Sequence, residues 1–134
     1  MTESTVPTLS PTAAQLDEAS LQRLHELDPD GKNHVVERVL QAFEASLRRL
    51  LPQGQQAFAQ SDGDALRHVV HTLKSSSASV GALDLSRRCG DIENRLREGH
   101  VDDLDPLWAG LQHEGRRVLL AVQALLASSR AQCA

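Results

Sequence analysis

The run His68-Val69-Val70-His71-Thr72-Leu73-Lys74-Ser75-Ser76-Ser77-Ala78-Ser79-Val80-Gly81-Ala82 decides how this chain is read. On a helix, side chains advance by about 100° per residue, and Leu66, Val69, Val70, Leu73 and Val80 then share one face, with Ser76 and Ser77 small at its margins. His71 falls on the opposite face, among Arg67, His68, Lys74, Ser75 and Ala78. The pattern predicts an imidazole held in water on a rigid element. A cation lies one turn away, and only small residues follow, so little blocks a partner from the ring.

Working outward, Gly81 ends that helix or bends it sharply. A further helix is predicted from about Leu83 to Glu98, burying Leu85, Cys89, Ile92 and Leu96. Its exposed side carries Asp91/Arg95 and Glu93/Arg97 at four-residue spacing, in the favourable order. Gly90 inside it weakens the helix by about 1 kcal/mol and marks a close approach to a neighbour. Gly99 stops it, and Asp105-Pro106 starts the last helix, with Leu104 stapling the entry. That helix shows Leu107, Leu111, Val118, Val122 and Leu125 down one face, widened by Trp108, Leu119 and Leu126.

Upstream of His71, Asp62 or Asp64 caps the central helix. Before it, a helix from about Asn33, read as its N-cap, presents Val36, Val39, Leu40, Phe43, Leu47 and Leu50. Pro52 and Gly54 are expected to break or kink it, with a further turn or two through Ala57 and Phe58. A weaker amphipathic helix spans about Thr12 to Leu27 on Leu16, Ser20, Leu24 and Leu27, and Asp28-Pro29-Asp30-Gly31 is a turn. Residues 1–12 read as a disordered tail, 13–128 as one helical domain, and 129–134 as a C-terminal tail.

Composition agrees with this outline. Aromatics are 2% against 40% hydrophobics, so the core of these 134 residues is Leu, Val and Ala, which favour helices over sheet. Short loops make sequential helices antiparallel neighbours. The expected fold is all-α, an antiparallel up-down four-helix bundle with an additional short N-terminal helix. The net charge of -4 is interspersed, without a basic block to engage nucleic acid or anionic lipid. No stretch approaches the roughly 20 apolar residues that cross a bilayer, and no signal peptide is visible. Cys89 and Cys133 make neither a disulfide framework nor a zinc site, which fits a reducing cytoplasm. A monomer is expected.

A neutral imidazole nitrogen is a good nucleophile near neutral pH, and its attack on a phosphoryl group gives a phosphohistidine. Lys74 is placed to offset the added charge, an interaction of at most about 1–4 kcal/mol and nearer the lower end when exposed. The metal and the acid/base groups of such a transfer belong to the partner.

The stretch resembles the signature of the histidine-containing phosphotransfer (HPt) domain family: His71, Leu73, Lys74, the Ser75-Ser76-Ser77 run, then Gly81-Ala82. Leu83 through Gly99 and the helix after Asp30-Gly31 also look familiar, so the resemblance spans roughly residues 20 to 126. Ser75 stands where the family often has Gly, and its hydroxymethyl group either narrows docking or bonds a phosphoryl oxygen. The resemblance implies a phosphocarrier of a multistep two-component phosphorelay, accepting a phosphoryl group on His71 from one receiver-domain aspartate and passing it reversibly to another. It implies response-regulator receiver domains and a hybrid sensor histidine kinase as partners. No cofactor is expected on this chain, and Mg2+ is expected on the receiver.

In a hairpin turning near Gly81-Ala82, His71 lies level with Ile92-Glu93. Ile92 reads as core, so Glu93 is the residue expected to orient His71 through its second ring nitrogen, unless it simply pairs with Arg97. Arg67, His68, Ser75 and Ala78 are the expected partner-binding positions. His68 and His71 at i, i+3 lack a further ligand at metal-binding spacing, so no metal site is expected. The serines lack a nucleophile elbow, and no Gly-rich nucleotide loop is present for autokinase activity. The alternative is a non-phosphorylated helical interaction module, an adaptor in which His71 is silent.

Overall fold

A computed structural model describes residues 16–99 and 103–133, with side chains to residue 128. Among the described residues the chain forms α1 (Glu18–Glu26), α2 (Val35–Ala59), α3 (Gly63–Ser79), α4 (Leu83–Arg97) and α5 (Asp105–Cys133), and no strand. Helices α2 to α5 make the bundle: α3 packs on α2 and α4, and α5 closes the ring against α2 and α4. Helix α1 lies on α2 as the extra element. No helix among the described residues is long and apolar enough to cross a membrane. The expected tail at residues 1–12 lies outside the described residues.

The core follows the aliphatic stripes. Leu47, Val70, Leu73, Leu85, Ile92, Leu111, Val118 and Val122 are fully buried, and Cys89 joins them, with burial pushing its thiol pKa up to about 12. Asp62 caps α3 by accepting the Ala65 N–H at 3.1 Å. Gly81, at φ +83°, makes the α3–α4 corner, and its carbonyl accepts the Asp17 N–H at 2.8 Å. A Cβ there would lie 2.8 Å from the Asp17 nitrogen, so glycine serves both the turn and the anchoring of α1.

Several expected details are corrected. Helix α1 starts at Glu18 behind the N-cap Asp17, and Leu27, expected on its apolar stripe, is 69% exposed. Residue Asn33 is not the N-cap of α2. His34 takes that place at φ 52°, and its own side chain makes no cap bond. The buried carboxylate of Asp28 does the capping, accepting from Asn33 N–H at 2.9 Å and Val35 N–H at 3.3 Å. Helix α2 is continuous through Pro52. The proline sits on the exposed side, while Gly54 is buried where a Cβ would come 2.4 Å from Trp108 Cη2. Glycine at 54 is therefore a packing residue, not a breaker, and lets the indole stack on Phe58 with centroids 5.9 Å apart.

The apolar stripe of α5 runs through Trp108, Leu111, Gly115, Val118, Val122 and Leu126, leaving Leu125 38% exposed. Gly115, which meets Leu51, draws the stripe to one side of the line through Leu107 and Leu125. Residues 129–133, expected as part of a C-terminal tail, extend α5 instead. That end of the chain contains no Gly or Pro, and its Arg, Ala and Gln favour the helix.

Candidate functional site

Helix α3 turns Leu66, Val69, Val70, Leu73 and Ser77 into the core. Its periodicity leaves Arg67, His68, His71, Ser75 and Ala78 exposed on the other side, with Lys74 half-buried at the α4 boundary. The His71 side chain is 64% exposed. The expected partner-binding positions thus share one strip with the imidazole.

Helix α4 brings Glu93 to this strip. Its side chain is only 6% exposed, so it faces the α3 boundary and not the solvent expected from an Asp91/Arg95 and Glu93/Arg97 surface pattern. Arg97 is 3.8 Å from Glu93 Oε2, but the close partners lie on α3. Asp91 pairs with Arg87, and Arg95 with Asp103. Glu93 Oε2 is 2.7 Å from His71 Nδ1, and Lys74 Nζ donates to Glu93 Oε1 at 2.6 Å. One carboxylate therefore bridges the imidazole and the ammonium.

The electrostatics follow from those bonds. The hydrogen bond from Lys74 lowers the Glu93 pKa, burial opposes the fall, and the bond with His71 adds to it. An ionised Glu93 only accepts, which assigns the proton to Nδ1 of a neutral His71 and the lone pair to Nε2. Lys74, expected to stand ready for an incoming phosphoryl charge, has its ammonium on Glu93 in the resting arrangement. Ammonium has more than one proton to donate, so that bond leaves it able to serve a second acceptor.

Beside the ring is a hollow of about 330 Å³ lined by Asp64, Arg67, His68, His71, Glu93 and Arg97. Arg97 was not among the expected site residues; it lies one turn beyond Glu93, a spacing visible in the sequence. Ser86 was also missed. Its Oγ donates to the Lys74 carbonyl at 2.8 Å, and no feature of the sequence signals a bond across two helices. Among the described residues, no group of three or more His, Cys, Asp or Glu side chains is arranged to hold a metal.

Comparison with known proteins gives a family for this helical bundle. The model of the Hpt domain matches residues 38–131, more than half of the chain. The chain belongs to the Hpt family. Two solved structures resemble this Hpt domain in fold and sequence. Histidine-containing phosphotransfer protein B from Pseudomonas aeruginosa PAO1 is 26% identical with a TM-score of 0.71, over 87% of this chain and 95% of that one. The HPT domain of an Hpt sensor hybrid histidine kinase from Shewanella is 25% identical with a TM-score of 0.72, over 84% of this chain and 94% of that one. No curated protein matches the Hpt chain.

Proposed function

We infer that His71 is the phosphoacceptor through which this Hpt domain acts as a phosphocarrier in a multistep two-component phosphorelay. The observation that carries the reading is the pairing of an exposed ring with a buried carboxylate. Glu93 holds Nδ1 at 2.7 Å while the imidazole is 64% exposed, so Nε2 is the nitrogen left for attack.

In the transfer, the Nε2 lone pair attacks the phosphorus of a receiver domain's aspartyl phosphate. An N–P bond forms, the P–O bond to the aspartate breaks, and the electron pair of that bond leaves on the aspartate carboxylate. With Nδ1 still protonated the ring gains positive charge, and Glu93 stabilises it in place. Lys74 is close enough to share its ammonium with a phosphoryl oxygen. In the onward step an aspartate oxygen of a second receiver attacks the phosphorus, a P–O bond forms, the N–P bond breaks, and its electron pair returns to Nε2, so the ring is restored. Little machinery is needed on this chain, because the Mg2+ expected on the receiver and that domain's own groups neutralise the transferring phosphoryl.

The partners in this reading are response-regulator receiver domains and a hybrid sensor histidine kinase, which the Shewanella relative supports. They dock over Arg67, His68, Ser75 and Ala78. The chain is read as a cytoplasmic monomer without nucleic-acid or membrane partners. It does not phosphorylate itself from ATP, since its sequence offers no Gly-rich nucleotide loop.

The test is to charge the receiver domains of the same cell with acetyl phosphate and mix each with the full chain. An acid-labile, alkali-stable label that vanishes in His71→Gln supports the assignment. A label retained by His71→Gln, or no label from any receiver, removes it; the second result leaves the adaptor with a silent His71.

A further inference from the structure

Lys74 leaves α3 and lies along α4, and the α4 residues beneath it fall on one strip: Ser86, Gly90 and Glu93. Each holds a different part of the lysine. Ser86 Oγ donates to its carbonyl at 2.8 Å, which fixes the backbone end. A Cβ added at Gly90 would lie 3.5 Å from Lys74 Cδ, in ordinary contact, so a methyl group there touches the stem and a larger side chain would compete with the stem for the same space. Glu93 Oε1 receives the ammonium at 2.6 Å. A lysine side chain loses much rotamer freedom when it is held, and nothing at a free surface would keep it so.

We propose that Ser86 and Gly90 are positioning residues for phosphoryl acceptance, forming with Glu93 a track on α4 that holds Lys74 against the carboxylate orienting His71. The inference rests on His71 being the phosphoacceptor. Its logic is a chain of three contacts. The track fixes the ammonium, the ammonium keeps the buried Glu93 ionised, and the ionised carboxylate keeps the His71 proton on Nδ1. Without the track the ammonium moves into water. Glu93 then loses its nearest cation, its burial favours the neutral acid, and its grip on Nδ1 weakens.

The experiment uses the full chain with ¹⁵N-labelled histidine and reads two signals. The first is the His71 tautomer from its ring ¹⁵N shifts across a pH series. The second is the rate of phosphoryl uptake from the receiver that charges the unmodified protein. Gly90→Leu is expected to slow uptake about tenfold and to move part of the proton from Nδ1 to Nε2. Gly90→Ala, whose added carbon only touches the stem, is expected to leave both signals within about twofold. Lys74→Gln should match Gly90→Leu, and the double variant should be no worse than Lys74→Gln alone, because both act through one side chain.

Ser86→Ala gives an independent test if Gly90→Leu does not fold. It is expected to slow uptake severalfold with the same tautomer change, and Ser86→Thr should restore both. Unchanged tautomer and uptake in Gly90→Leu or Ser86→Ala, or a double variant whose losses multiply, overturns the track. A label that survives His71→Gln fails the phosphoacceptor reading instead, a result distinct from any outcome on α4.

Discussion

Glu93 takes Lys74 on one oxygen and His71 on the other while nearly withdrawn from water. Its pKa is held below the ordinary carboxylate value, with the Lys74 hydrogen bond the largest cause. The unfolded chain therefore binds this proton more readily than the folded one. The stability it contributes is present above the ordinary carboxylate range and is lost as pH falls through the depressed folded value. Urea unfolding over a pH series should show it directly: Glu93→Gln flattens the acid limb of the stability curve. The position of Glu93 opposite His71 was legible from the hairpin register alone. Its burial was not, because the charge pattern of α4 also reads as a solvent-facing i, i+4 pair. A second residue, Ser77, has a fully buried hydroxyl with no hydrogen-bond partner. Ser77→Ala removes that unmet group at little change in volume, and denaturant unfolding should show a gain of about 1 kcal/mol.

Helix α2 inverts two rules of sequence reading within one turn. Pro52 costs a backbone hydrogen bond in the middle of the helix, yet the packing of Leu47, Leu50, Gly54 and Ala57 carries the helix past it. Pro52→Ala is expected to stabilise the protein by about 1–3 kcal/mol in thermal or chemical unfolding. Gly54→Ala is expected to do the reverse, by about 1–3 kcal/mol, because the new carbon meets the Trp108 ring at 2.4 Å. Helix propensity alone predicts a gain for both, so the opposite signs separate packing from propensity. The existence and order of the helices were legible from apolar spacing. Their ends were less so: Asp28 caps α2 from outside the helix, and Gly115 moves the α5 stripe without looking apolar. A loop carboxylate folding back, and a glycine admitting Leu51, are tertiary events that no local window contains.

Across the whole molecule, the bundle separates its stabilising interior from the strip that carries His71. Arg67, His68, Ser75 and Ala78 contribute almost nothing to the core, so changes there should act on docking and not on folding. Ala78→Trp is expected to lower phosphoryl uptake from a receiver more than about tenfold, with the unfolding midpoint unchanged within a degree or so. Uptake assays beside a thermal scan check both halves. This separation was visible in the sequence, because an amphipathic helix declares its two faces. What the sequence hid is how the outward face is tuned from behind, through Ser86 and Gly90 on the neighbouring helix.

The stacked indole of Trp108 is the sole tryptophan of a chain without tyrosine. Its Nε1–H donates to Gln55 at 2.7 Å and its ring is sealed against Gly54 between α2 and α5. Ultraviolet emission from this protein is thus a single-site optical probe. It should redden when the α2–α5 seam opens and stay dark to events at the imidazole, so unfolding and signalling are followed in the same cuvette by independent channels.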